Sequence, residues 1–421
     1  MTAGSDLTIY GVTGDGYVVY YDSTHGDLGV VSINGGTPTT IAAAVGSTFY
    51  VVPSEKGVLV WTNVDANDVG ELVMWTAALG ARSVSGASRA LAGGIDPTAA
   101  YIVYSTNSDE GAGTFDLMGA TTDGSESDTI ASALSGATVE MVNSYAVVDM
   151  IVGTASATSQ LVSVVLGSWI HHPCAMPIST TGSRLLGLDT AGTSALYLYQ
   201  NYPVVCSTDG STANYVTGGL SVSSALFAPD GSAVLYSSSD QTSITRVTVS
   251  TLDTTVLATD GIGLTLQTVS PDGNTMLATG YVPVATVDLL YGSAVSPTGV
   301  SAVTAEMGIG LVGFTGDSSQ LVYVSGVASG TGTLTSLPTA GGSARIIDTA
   351  AFTWATSGNT KIVFNDNYTT SAADLKVIDL SNAASSPSLI AAQVQPVFAL
   401  TADRNTLVYS SSAGIYAVPV P

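Results

Sequence analysis

One short pattern returns along this chain, and it restricts the fold more than any other feature. An apolar strand end meets a Pro-Asp-Gly turn and resumes as a second, alternating strand. It is plainest in residues 226–239 (LFAPDGSAVLYSSS) and 268–280 (TVSPDGNTMLATG). Proline presets φ at the turn's second position, while Asp and Gly complete it. Pro229 and Pro271 stand 42 residues apart.

Further copies carry the pattern to both ends, with those at Val142 and Ala191 the two weaker ones. Their anchors are Gly14 (GDGYVVYY), Ser54 (SEKGVLVW), Pro97 (DPTAAYIVY), Val142 (VNSYAVVD), Ala191 (AGTSALYL), Gly316 (GDSSQLVY), Ser357 (SGNTKIVF) and Ala402 (ADRNTLVY). The second strand ends on an aromatic at Tyr21, Trp61, Tyr104, Tyr236, Tyr323, Phe364 and Tyr409. An aromatic at a fixed repeat position reads as packing between units. A third strand follows each hairpin, as in DLKVIDLSN (374–382), and a shorter fourth closes the unit, as in TTVLATD (254–260).

Four strands in roughly forty-two residues is the size of a propeller blade. The expected fold is therefore all-β: a β-propeller of four-stranded antiparallel blades, about ten repeats of ~42 residues. One propeller over residues 1–421 is the first reading. Ten blades exceed the common range of about 4–8, so two tandem smaller propellers, with a break near 168–180, are the alternative. The last copy runs out after its third strand. A strand near residues 6–10 either completes it or serves the first copy.

The run of apolar strand, SPDG turn, apolar strand, polar loop and strand resembles the TolB-like, WD-repeat-like propeller repeat of bacterial envelope proteins. That repeat also occurs in the propeller domains of prolyl oligopeptidases. The resemblance covers almost all of the chain and is sharpest at Pro229-Asp230-Gly231 and Pro271-Asp272-Gly273. Elsewhere Ser, Thr and Ala replace the family's charged loop residues. It implies the fold, and an envelope binding role as an expectation only.

Charge narrows the partners. Nine Lys and Arg face 32 Asp and Glu, a net charge of −23. Such a surface repels phosphate backbones, so nucleic acid and anionic membranes are excluded as expected partners. The mean hydropathy is +0.39, yet the most apolar windows, residues 145–153 and 161–170, are too short to span a bilayer as helices. The opening MTAGSDLTIY has no basic or apolar leader region, so no signal peptide is expected here. Either the protein is cytoplasmic or it is an extracytoplasmic protein (periplasmic, cell-surface or secreted) in mature form with a start Met added, and the second is the favoured reading. Cys174 and Cys206 lie in neighbouring repeats, which leaves a disulfide or two buried thiols open.

No constellation reads as an active site. There is no G-x-S-x-G, no P-loop and no HExxH. The three histidines do not combine: His171 and His172 would face opposite sides of a strand, and His25 is in another repeat. No cofactor is expected apart from calcium, for which the weak metal candidates are Asp65, Asn67 and Asp68. They match the first two ligand positions of an EF-type loop, but Val69 takes the third. Other acidic loops occur at 109–110, 123–128 and 365–367. Tyr197, Tyr199 and Tyr202, with Tyr215 nearby, are candidates for stacking on a ligand, set against core packing on one strand face. Asn367-Tyr-Thr369 matches a glycosylation acceptor. The expected function is a non-enzymatic binding module or scaffold for another protein. The alternatives are a carbohydrate-binding or glycan-cleaving propeller, and a structural subunit of a surface layer or filament.

Overall fold

The computed structural model describes all residues except 1–6, 47, 110–112, 143, 154–157, 175–183, 260–261, 282–288, 305–310 and 370. The described residues form strands and turns without helix, and every strand pairing is antiparallel between sequence neighbours. Nine sheets follow one another, spanning residues 7–42, 50–89, 93–173, 184–215, 222–258, 262–304, 312–351, 354–394 and 398–419. They are called sheets one to nine below. Seven have four strands, sheet three has seven and sheet nine has three.

The sequence pattern explains the layering. Second strands such as Gly57–Thr62 (GVLVWT) are buried along their whole length. Other sheets cover both faces, so both sets of alternating side chains must be apolar or small. Outer strands such as Ser388–Val394 are largely exposed. The aromatic that ends the second strand lies in the joints: Trp61 and Phe364 are fully buried, and Tyr236, Tyr323 and Tyr409 nearly so. The indole N–H of Trp61 donates to Ser88 Oγ at 3.0 Å, which satisfies its one buried polar atom.

Sheet three departs from the expected repeat. The copies anchored at Pro97 and Val142 do not form separate sheets; they share the 16-residue strand Ser127–Val142. Its first half pairs with Thr114–Thr121 and its second half with Tyr145–Val152. The register breaks between Leu134 and Gly136, and Ala133 takes a left-handed φ of 57°. Such a bulge bends the strand, and the two halves then close on each other around Phe115, Leu117, Leu134, Val148 and Val164. Residues 168–174 of the suspected break belong to the last turn and strand of this sheet; 175–180 lie outside the described residues.

A hydrophobic cluster fills each joint between consecutive sheets. Sheets one and two meet around Val19, Val30, Val58 and Trp75; sheets seven and eight around Val322, Leu334, Ile362 and Phe364. Another cluster joins the ends of the chain: Leu7, Ile9, Val18 and Tyr20 of sheet one pack with Val408 and Ile415 of sheet nine. Among the described residues no strand pairing joins these two sheets. The strand Leu7–Val12 pairs within sheet one, and sheet nine keeps three strands, so residues 7–10 do not complete the last copy. Asp6 lies outside the described residues.

Candidate functional site

In a four-stranded meander the first and third connections lie at one end and the second at the other. Neighbouring sheets bring like ends together. Asp15 N–H donates to Glu55 O at 2.9 Å, Asp272 N–H to Ser318 Oγ at 3.0 Å and Asp317 N–H to Asn359 O at 3.1 Å, each between first hairpin turns of adjacent sheets. The first and third connections thus build one face, here the turn face. The second connections and the links between sheets build the other, the crossover face.

On the turn face one local device recurs. In Thr121-Thr-Asp123-Gly-Ser125, Asp123 Oδ1 accepts from the Thr121 hydroxyl at 2.7 Å and from Ser125 N–H at 2.9 Å. Thr121 Oγ1 in turn accepts from Glu126 N–H at 3.1 Å. The same links occur in Ser270-Pro-Asp272-Gly-Asn274, Thr315-Gly-Asp317-Ser-Ser319 and Thr401-Ala-Asp403-Arg-Asn405. Side-chain oxygens replace the hydrogen bonds that a tight turn cannot make for itself. The carboxylates are held below their ordinary range. Hydrogen bonds from Ser125 and Thr121 bring Asp123 to about 2, and those from Ser211 and Ser207 bring Asp209 to about 2. At Asp272 and Asp317 partial burial pushes upward, but the hydrogen bonds prevail. Ser270-Pro-Asp272-Gly is thus one spelling of a broader signal, Ser/Thr-x-Asp-x-Ser/Asn, which the sequence carries; at Pro229-Asp230-Gly231 the first place is Ala228 and only the links from Ser232 to Asp230 are made.

A cavity of about 500 Å³ opens on the turn face where sheets one, two and three meet. Ala77, Ala78, Leu79, Ala100 and Tyr101 provide apolar wall, and Asp15, Lys56 and Asp123 are exposed among its lining residues. Five turns from three repeats contribute, which no reading of one repeat could reveal. The wall is fixed from behind: Thr122 donates to Ala99 O at 2.7 Å, Arg82 Nη1 to Thr122 O at 2.8 Å, and the Tyr101 ring meets Trp169 edge-on at 5.9 Å.

The crossover face is uneven. Its hairpin in sheet one joins two six-residue strands, Tyr17–Asp22 and Asp27–Ser32. In sheet seven the strands are Gln320–Ala328 and Thr331–Pro338, of nine and eight residues. Sheet three has two long hairpins, Tyr101–Asp109 with Thr114–Thr121 and Tyr145–Val152 with Thr158–Val165. Ile151, Val152 and Val327 expose apolar side chains near these tips.

The sequence candidates scatter over this architecture. Asp65, Asn67 and Asp68 form a crossover-face turn in which Asp65 Oδ1 accepts from the amides of Asn67 at 2.8 Å and Val69 at 3.0 Å. Among the described residues, no group of three or more His, Cys, Asp or Glu side chains is placed to hold a metal ion. Asp109 ends a long hairpin strand, and Glu110 lies outside the described residues. His25 pairs with Asp22 at 2.8 Å, far in sequence from His171 and His172, which take successive positions on an outer strand. Cys174 and Cys206 are joined in a disulfide between sheets three and four.

The tyrosines divide. Tyr197 and Tyr199 are buried in the joint between sheets three and four, where the Tyr197 hydroxyl donates to Asp149 at 3.4 Å. Burial raises the Asp149 carboxyl above its ordinary value, although bonds from Leu185 N–H and Tyr197 oppose this. Tyr202 is half-buried and Tyr215 exposed, and their rings meet edge-on at 6.5 Å. One ion-pair group leaves no trace in the sequence beyond the acidic stretch 365–367. Lys376 bridges the carboxylates of Asp348, at 3.4 Å, and Asp366 across the joint of sheets seven and eight. Phe352 and Tyr368 stack in parallel at 4.1 Å in the connections of the same two sheets.

No family model and no curated protein matches the sequence. Among solved structures, a eukaryotic initiation factor superposes with a TM-score of 0.56 at 14% identity, over 80% of this chain and 86% of that one. This likeness concerns the fold alone. The matches also include TolB from Acinetobacter baumannii (13% identity, 68% of this chain and 79% of that one, TM-score 0.31). An oligogalacturonate lyase from Vibrio parahaemolyticus matches at 13% identity over 100% and 99% of the two chains, with a TM-score of 0.40. Scores that low carry no argument about what this chain does.

Proposed function

We propose that the chain is a single β-propeller ring of ten blades, with sheet three supplying two of them, and that it serves as a non-enzymatic docking scaffold for another protein. The observation that carries the ring is the cluster of Leu7, Ile9 and Val18 with Val408 and Ile415, which brings the last sheet onto the first. Two tandem rings would need a joint without such packing near residues 168–180. There, Cys174, Val147 and Leu161 pack with Tyr197 and Cys206.

Docking through the crossover face is favoured by its long hairpins and apolar tips. Connections of unequal length on a repetitive scaffold are where binding surfaces are built. An extracytoplasmic location agrees with the disulfide, since such bonds persist in oxidising compartments. A glycan-cleaving reading would use Asp348 and Asp366 beside Phe352 and Tyr368. Lys376 stands between the two carboxylates, where a sugar ring would have to enter, so that geometry does not favour it.

A photo-crosslinking residue placed at Val327 or Ile151, and for comparison at Leu252 or Val295 on the turn face, tests the reading in an envelope fraction of the source. One discrete protein adduct from the crossover positions alone is expected. Adducts from the turn face alone, or binding on a glycan array without any protein adduct, would overturn it.

A further inference from the structure

We propose that the cavity between sheets one, two and three binds a cationic head carried on an aliphatic stem, an alkylammonium or alkylguanidinium group. Its volume, about 500 Å³, lies within the range of about 300–1,000 Å³ usual for small-ligand sites. The walls suit a methylene chain: Ala77, Ala78, Leu79, Ala100 and the Tyr101 ring present mostly carbon. A long basic side chain or diamine gains most when its stem lies on such a surface and its head stays at the polar rim.

The rim supplies the matching charge. Asp15 and Asp123 come from different sheets and each commits one carboxylate oxygen to its own turn. The second oxygen of each makes no hydrogen bond among the described residues and is free to accept one from a cation. Asp123 stays ionised down to about pH 2 because of its turn bonds, with a smaller contribution from the nearby Arg82 guanidinium. Lys56 also lines the cavity and has no ion pair among the described residues. It opposes a cation and would favour an anion, so its removal distinguishes the two. The net charge of −23 attracts cations from a distance. The cavity is on the face opposite the proposed docking surface, so either reading can fail without the other.

The test is calorimetric and ligand-observed NMR titration of the full chain with four probes. They are acetylated and amidated Gly-Gly-Arg-Gly-Gly, its citrulline and glutamate counterparts, and cadaverine. The arginine peptide or cadaverine should bind, with the citrulline peptide weaker by about tenfold for the loss of a charge-assisted bond. Binding of the peptide without cadaverine assigns the site to a side chain of a partner; binding of cadaverine alone assigns it to a free amine. Asp123→Asn, which keeps the Oδ1 acceptor of the turn, should weaken binding about tenfold, and Lys56→Gln should tighten it a few-fold. Ala78→Trp should abolish it while the thermal melt is unchanged. Preference for the glutamate peptide, weakening by Lys56→Gln, indifference to Ala78→Trp, or no binding by any cationic probe would each overturn the proposal.

Discussion

The two faces of this molecule solve the same problem, reversing a strand, by different means. On the turn face a short side-chain circuit is repeated: Ser or Thr to Asp, Asp to the amide two residues on, and the hydroxyl back to a later amide. On the crossover face the hairpins vary in length, and only some reuse the circuit, as in Ser238-Ser-Asp240 with Thr242. The comparison shows where the acidity of the chain is spent. Many of its carboxylates are local fasteners, and charge at a loop is no sign of a metal site when the backbone already occupies the oxygen.

Acid should break the comparison most strongly, because it acts on many fasteners at once. A carboxylate whose folded pKa is depressed adds stability above its unfolded value of about 4 and loses it as pH falls through the folded value. For Asp123 and Asp209 the loss therefore runs from about 4 down to about 2. Hydrogen exchange from pH 5 to 2 should show Ser125, Ser211, Asn274, Ser319 and Asn405 amides losing protection before the long crossover hairpins. The Thr242 amide, on the crossover face but fastened by Asp240, should follow the turn-face group. If the long hairpins open first, the contrast is wrong.

The disulfide should give the next largest effect. It closes a separation of 32 residues, worth about 3–4 kcal/mol in chain entropy. Urea unfolding of the Cys174→Ala, Cys206→Ala variant should show that loss; a change below about 1 kcal/mol would mean that packing alone holds the joint.

Gly119→Val comes third. A Cβ at Gly119 would lie 2.2 Å from the Trp169 ring, which closes the two halves of sheet three. Displacing the indole should cost about 1–3 kcal/mol and shift the Trp emission maximum to longer wavelength. Unchanged emission would show that the ring yields without leaving its place.

The smallest effect tests the crossover turn of Asp65. Asp65→Ala removes the acceptor of two backbone N–H groups and should cost about 1 kcal/mol, equally with and without millimolar calcium. A melting temperature raised by calcium in the parent but not in Asp65→Ala would instead make the loop a metal site.

Much of the fold could be read from particular residues. Pro229-Asp230-Gly231 and Pro271-Asp272-Gly273 marked first hairpins, and the recurring aromatics marked the joints, where Trp61 and Phe364 are buried. The tyrosines were harder. Alternation placed Tyr197 and Tyr199 on one strand face, but only the neighbouring sheet decides that this face is covered. Asp366 stood out only as part of the acidic stretch 365–367; its grouping with Lys376 and with Asp348, which belongs to the preceding repeat, follows no spacing rule.

By itself the sequence determined what is local: the hairpin turns and their chemistry, the period of about forty-two residues and the charge. These depend on backbone sterics and on side chains a few residues apart. Tertiary structure decided what depends on distance in space. It fused two copies through the strand Ser127–Val142, set sheet nine against sheet one, paired Cys174 with Cys206, and assembled a cavity from five turns. Each of these joins residues whose separation along the chain leaves no periodic trace, so only packing could reveal them.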